Sequence, residues 1–120
     1  RGFMLLELLV TLFLLALLAP ALLGVLHTGL EMVLLARQQT AALCLAQESL
    51  EEARCRSICS IMSTAAAPVE GFADYTRKVE VKAIEADEWN LPVKEIRVTV
   101  SWQHEQSEHS LCLVTWQSWR

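Results

Sequence analysis

The chain reads as an α+β protein: a long N-terminal helix, transmembrane and then amphipathic, packed on a small three-stranded antiparallel sheet. Three observations predict this. An uncharged apolar run extends from Leu8 to Leu26. After it, apolar residues recur at spacings of three and four, the helical period. Beyond residue 71 the period changes to two in three separate stretches, the signature of half-buried strands.

The N-terminal run comes first. Between Leu8 and Leu26 the only weakly polar side chain is Thr11. At about 1.5 Å per residue this run nearly matches a hydrocarbon core ~30 Å thick. Apolar residues on every side of the helix suit lipid or a helix bundle. Glu7 is the exception at its start. A carboxylate at the bilayer centre costs about 2.5–3.5 kcal/mol on insertion scales and less near an end, so a lone acid there invites a functional reading. Pro20 and Gly24 predict a break, because proline removes one backbone bond and clashes with the preceding turn.

A cleavable secretory signal is the rival reading, since Ala19-Pro20-Ala21 imitates its cleavage site. The apolar run is longer than the usual signal core, and Glu7 stands where such signals carry positive charge. Cleavage after Ala21 would also leave the greasy start Leu22-Leu23-Gly24-Val25-Leu26. A plain uncleaved signal anchor is the third reading. Arg1 before the span and the polar domain after it favour a cytoplasmic N-terminus, with the domain on the other side.

The helix continues from Phe3 to about Ile61. From about Glu31 it becomes amphipathic, with Leu43, Ala46, Leu50 and Ala53 as the apolar stripe and Gln38, Gln47, Glu48, Glu51 and Glu52 outside. Glu52 and Arg56 are spaced for an i, i+4 ion pair worth about 0.2–0.5 kcal/mol. Ser63 to Gly71 reads as a connector, punctuated by Pro68 and Gly71. Three strands follow. In Tyr75–Ile84, Val79, Val81 and Ala83 alternate with Lys78, Glu80 and Lys82. In Lys94–Gln103, Ile96, Val98, Val100 and Trp102 form one face. In Ser110–Trp119, Cys112, Val114 and Trp116 oppose Leu111, Leu113 and Thr115, and both sets are apolar enough to be the inner one. Short connections, 85–93 and 104–109, suggest an antiparallel meander. The expected core joins Leu43 and Leu50 to Val79, Val98, Val100 and Trp102.

Composition excludes several functions. The net charge of −4, with no basic cluster, argues against nonspecific nucleic-acid binding. No nucleophile–base pairing, glycine-rich phosphate loop or G-x-S-x-G context appears, so the chain is read as no enzyme and no cofactor is implied. His104 and His109 share a polar loop with Glu105 and Glu108, which reads as a solvated hairpin loop rather than a metal site. The acidic segment Glu85-Ala86-Asp87-Glu88-Trp89-Asn90 lacks the EF-hand pattern and reads as a solvated turn rather than a calcium site. The four cysteines, Cys44, Cys55, Cys59 and Cys112, are expected as buried thiols or one structural bridge. Their pairing is not specified by spacing.

Gly2-Phe3-Met4-Leu5-Leu6-Glu7, followed by the apolar run, resembles the processing and assembly signal of type IV pilins and pseudopilins. In that signal Gly precedes an aromatic, three mostly apolar residues and Glu. Leu6 stands where Ile is frequent. The resemblance implies cleavage by prepilin peptidase between Gly2 and Phe3 and N-methylation of Phe3, leaving residues 1–2 as a leader remnant. Glu7 would then be the fifth mature residue and pair with the N-terminal amine of a neighbouring subunit. Such pairing fits the physics, because stripping one partner from a buried ion pair costs about 3–5 kcal/mol. Without a partner, Glu7 would only favour the first helical turn, by about 0.3–1 kcal/mol.

The resemblance divides the chain into a transmembrane half (3–26), an amphipathic half (27–62) and a small sheet domain (63–120). Family members often carry a Pro slightly later than Pro20, with a nearby Gly, where the helix loosens on filament packing. Here a tolerated transmembrane kink is the alternative. The runs from Ala46 to Arg54 and from Ile96 to Trp102 look like those of the I-type minor pseudopilin of type II secretion and of PilV-like minor pilins. Retention of Glu7 disfavours a tip subunit, and the small domain disfavours the major pseudopilin. The implied partners are other pilin or pseudopilin subunits, prepilin peptidase and the assembly platform proteins of the inner membrane. The implied product is a type II secretion pseudopilus or a type IV pilus. A signal-anchored extracytoplasmic binding module unrelated to filaments is the alternative.

Overall fold

The computed structural model describes residues 2–85 and 92–118. One helix, α1 (Gly2–Cys55), precedes four strands: β1 (Thr64–Val69), β2 (Phe72–Glu85), β3 (Pro92–His104) and β4 (Ser107–Ser118). The strands form one antiparallel sheet in the order β1-β2-β3-β4. The expected helix-on-sheet architecture is therefore present, with four strands in place of three. By contacts the chain forms two units, divided after Arg37.

The first unit is helix alone. Its large apolar side chains, from Phe3 to Leu34, are exposed around the whole circumference. This helix is long and apolar enough to cross a membrane. Its two threonine hydroxyls are satisfied locally. Thr11 Oγ1 donates to the Glu7 carbonyl at 2.7 Å, and Thr28 Oγ1 donates to the Gly24 carbonyl at 3.0 Å. Such bonds remove the cost of a bare hydroxyl in an apolar setting. α1 runs through Pro20 and Gly24, the residues expected to interrupt it, as continuous helix. A single proline deletes one N–H, and the flanking ladder carries the segment.

The second unit, Gln38–Arg120, holds the core. From β3, Ile96, Val98 and Val100 are 0% exposed and Trp102 is nearly so. This face was expected from strict alternation. The register sets Val79–Val98–Leu113 and Val81–Ile96–Thr115 in rows across β2, β3 and β4. Facing them, α1 presents Ala42, Leu45, Ala46, Ser49 and Ala53. The expected stripe shared Ala46 and Ala53 with this set, but Leu43 and Leu50 are only half-buried. The reason is volume. Branched side chains already fill the sheet side, and mostly small helix residues face them in the core. Ser49 enters the core by donating to the Leu45 carbonyl at 3.2 Å.

Three boundaries are corrected. The helix stops at Cys55, not Ile61, and closes with two tight turns, Arg56 N to Ala53 O and Ser60 N to Ser57 O. Ser57 and Ser60 sit where short hydroxyl side chains compete with helical bonding, and Ser60 Oγ does so by donating to Ser57 O at 2.8 Å. The supposed connector 63–71 contains β1, which pairs with β2 through an irregular register. The supposed loop 104–109 is a two-residue turn, Glu105–Gln106, with both histidines on strands. Glu105 adopts a φ of 56°, the positive value that tight hairpins demand at their first turn residue.

Candidate functional site

The residues singled out in the N-terminal segment lie along α1 in sequence order. Gly2 is at its first position, with open space around its missing side chain. Phe3 and Glu7 follow, both exposed. The Glu7 carboxylate makes no ion pair among the described residues. Within the second helical turn, the Glu7 carbonyl is bonded by Thr11. Further along, His27 Nε2 and Glu31 Oε1 lie 3.1 Å apart. Glu7 is the only acid from Gly2 to Leu30. This unit thus offers a continuous apolar rod with one carboxylate close to its beginning.

The cysteines do not match the expectation of buried thiols or a structural bridge. Cys44, Cys55, Cys59 and Cys112 are all free and exposed. Each falls on the solvent side of its element. Cys44 lies off the stripe formed by Ala42, Leu45, Ala46 and Ser49. Cys55 and Cys59 flank the end of α1, and Cys112 belongs to the outward-facing set of β4.

The sheet has two distinct faces. On the inner face, aromatic rings gather at the end nearest the β3–β4 turn. Phe72 meets Tyr75 edge-on at 6.1 Å, Tyr75 lies 6.0 Å from Trp102, and His109 stacks on Trp102 at 5.8 Å. Ring contacts of this kind contribute about 0.5–1.5 kcal/mol each beyond the area they bury. Two polar side chains fasten the sheet to the helical layer. Tyr75 Oη donates to the Gln38 carbonyl at 3.4 Å, and Lys94 Nζ donates to the Ile58 carbonyl at 2.6 Å. Burial raises the Tyr75 hydroxyl pKa above its usual value of 10.0, and the Asp74 carboxylate adds to the shift. The indole N–H of Trp102 is buried with no hydrogen-bond partner, so ring packing and Tyr75 hold this end.

The outer face is mostly charged. Cross-strand neighbours alternate in sign, Glu80 beside Arg97 and Lys82 beside Glu95. Lys78 pairs with Glu80 and, by hydrogen bond and charge, holds its carboxyl below the usual range. Arg97 Nη2 donates to Glu95 Oε1 at 3.0 Å. On β4 this charged pattern gives way to Cys112, Val114 and Trp116. Register decides which β4 set is inner, a point that composition left open. Leu111 and Leu113 pack on the core, while Val114 and Trp116 are 46% and 69% exposed.

A cavity of about 250 Å³ opens between the end of α1 and β1–β2, lined by Ser49, Glu52, Arg56, Ile61, Arg77 and Val79 among others. Its Glu52 and Arg56 form the ion pair that their spacing predicts, and the Ser49 hydroxyl is committed to the Leu45 carbonyl. The cavity therefore presents no nucleophile beside a base. His104 and His109 lie with ring centroids 6.2 Å apart. No group of three or more metal-ligating side chains occurs among the described residues. The acidic segment that raised the calcium question runs from Glu85 to Asn90; past Glu85, the last residue of β2, it lies outside the described residues, as do Trp89 within it and Trp119.

Sequence reasoning missed Tyr75 and Lys94 as fasteners. Both are polar side chains on the inner face, where alternation alone leads one to expect apolar residues. No family model matches this chain, and no curated protein or solved structure matches it either.

Proposed function

We propose that this chain is a minor pilin or pseudopilin subunit. It is processed between Gly2 and Phe3 by a prepilin peptidase and assembled through its N-terminal helix into a type II secretion pseudopilus or type IV pilus. The observation that carries the reading is the Gly2-Phe3…Glu7 signal at the head of a 54-residue helix, whose far end packs on a small sheet. In this reading α1 anchors the subunit in the inner membrane. The N-terminus lies on the cytoplasmic side and the sheet domain in the periplasm or outside the cell. Glu7 then pairs with the amine of Phe3 on a neighbouring subunit, which makes a carboxylate tolerable in an apolar bundle. Neighbouring subunits, the peptidase and the assembly platform are the partners.

The exposed apolar circumference of the first unit supports this reading. Such a surface is stable only in lipid or against other apolar helices. The subunit performs no chemistry itself; its work is packing.

Mass spectrometry of the protein purified from membranes tests the proposal. The expected N-terminus is Phe3 carrying one added methyl group. An unprocessed Gly2–Phe3 bond, or cleavage after Ala21, rejects it. In the first case the chain becomes a signal-anchored extracytoplasmic module; in the second, a secreted one.

A further inference from the structure

We propose that β4 is a self-association edge, pairing antiparallel with β4 of a second copy of this chain about a two-fold axis at Val114. The two edges of the sheet are unlike. β1 is short, carries Pro68 and pairs irregularly with β2, all features that blunt an edge against further strand addition. β4 has twelve residues in unbroken register with β3 and contains no Pro, Lys or Arg. Its only acid is Glu108, and Ser110 to Ser118 is uncharged. An open edge of this length and composition lacks the usual protection against pairing.

Backbone geometry shows which groups are on offer. His104 and Ser107 close the two-residue turn, and the closing pair of such a hairpin is hydrogen-bonded. Odd-numbered β4 residues therefore bond to β3. Even-numbered ones, Ser110, Cys112, Val114 and Trp116, direct their N–H and C=O groups to the open side. Val114 lies at the middle of the uncharged run, so an axis there pairs the whole run with itself.

Two features favour a second copy as the occupant. Around Val114, no charge faces a like charge over the paired run. The side chains also fit by size: Trp116 falls opposite Cys112 of the other copy, and Ser110 opposite Ser118. The exposed Val114 and Trp116 of each copy would then cover one another on the outer face, where now they stand in water.

Cysteine scanning tests this on the full chain in detergent micelles. Cys44, Cys55, Cys59 and Cys112 are replaced by Ser, and single cysteines are introduced as Ser110→Cys, Val114→Cys or Trp116→Cys, with the natural Cys112 or Cys44 retained alone in two further variants. Copper phenanthroline serves as oxidant. Disulfide-linked dimer should peak at Val114→Cys, because directly opposed hydrogen-bonded residues have Cα atoms about 5.5 Å apart, within disulfide reach. Val114→Lys in the otherwise natural chain should abolish the dimer seen by light scattering while leaving the circular dichroism of the fold intact. A monomeric chain overturns the proposal and points to a strand from another protein. Equal cross-linking at every position, Cys44 included, also overturns it, since that marks association through α1. Neither result bears on processing at Gly2–Phe3.

Discussion

Lys94 Nζ donates to the carbonyl oxygen of Ile58 across 2.6 Å, joining the start of β3 to the turn that follows α1. The lysine lies on the inner face of the sheet, in the row of Ala83 and Gln117. Its ammonium group therefore serves a carbonyl of the turn, outside the helical ladder that ends at Cys55. Lys94→Met keeps the length of the side chain and removes the donor. Because hydrogen bonds to charged groups contribute more than neutral ones, a loss of about 1–2 kcal/mol is expected. Denaturant unfolding measures it, and an unchanged midpoint would show that the bond is idle.

The helix–sheet contact is set by volume, and two substitutions probe it from opposite sides. Ile96→Ala empties a fully buried site and should cost about 2–5 kcal/mol. Ala46→Leu adds bulk at a fully buried position of the helix and should cost about 1–3 kcal/mol. Leu43→Ala, on the half-buried flank, should cost less than either. A Leu43 effect equal to that of Ile96 would restore the stripe expected from hydrophobic spacing.

Tyr75 is the only tyrosine in the chain, so its phenolate absorbance reports a single site. Burial holds its pKa above 10.0, with Asp74 adding to the effect. The sign follows directly. Below pH 10 the hydroxyl is neutral in both folded and unfolded chains, and its contribution to stability is intact. Above pH 10 the unfolded chain ionises first and stability falls as pH climbs through the folded value. Spectrophotometric titration should show the phenolate band arising at higher pH than for free tyrosine, and Asp74→Asn should move it part of the way back. A titration coinciding with free tyrosine would contradict the buried placement.

Glu7→Val tests the assembly reading separately from processing. Membrane insertion should be unchanged, because the substitution only makes the apolar run longer. Incorporation into a filament should drop sharply, since an amine left without its carboxylate in an apolar bundle is penalised by about 3–5 kcal/mol. Pull-down of assembled filaments, with membrane fractionation as control, gives both readings. Normal incorporation would argue against the pairing role.

What the sequence disclosed depended on how strongly each segment separated its two faces. β3 was legible because Ile96, Val98, Val100 and Trp102 alternate with Glu95, Arg97, Thr99 and Ser101, and only one of these sets is apolar. β4 was visible as a strand, yet its inner face was not, because Val114 and Trp116 are as apolar as Leu111 and Leu113. The two-residue turn at Glu105–Gln106 fixes that choice by register. β1 was hidden because Ala65-Ala66-Ala67-Pro68 has little strand propensity, and backbone pairing with β2 holds it in place. The helix stripe was half right because Ala42 carries too little hydrophobicity to announce itself. The pattern Gly2-Phe3…Glu7 is visible only in the sequence; the structure adds an exposed apolar helix around it, and the assembly reading is a proposal for the tests above.

The strand order β1-β2-β3-β4 is also the order in which the chain is made. Each strand finds its partner in the segment synthesised just before it. The helical segment that carries Ala42, Leu45, Ala46 and Ser49 is synthesised before the first strand. No strand must wait for a distant one, so loop-closure entropy is small at every step of the sheet. Folding of this layer can keep pace with translation as a row of successive hairpins, and each new strand shields the edge of the last.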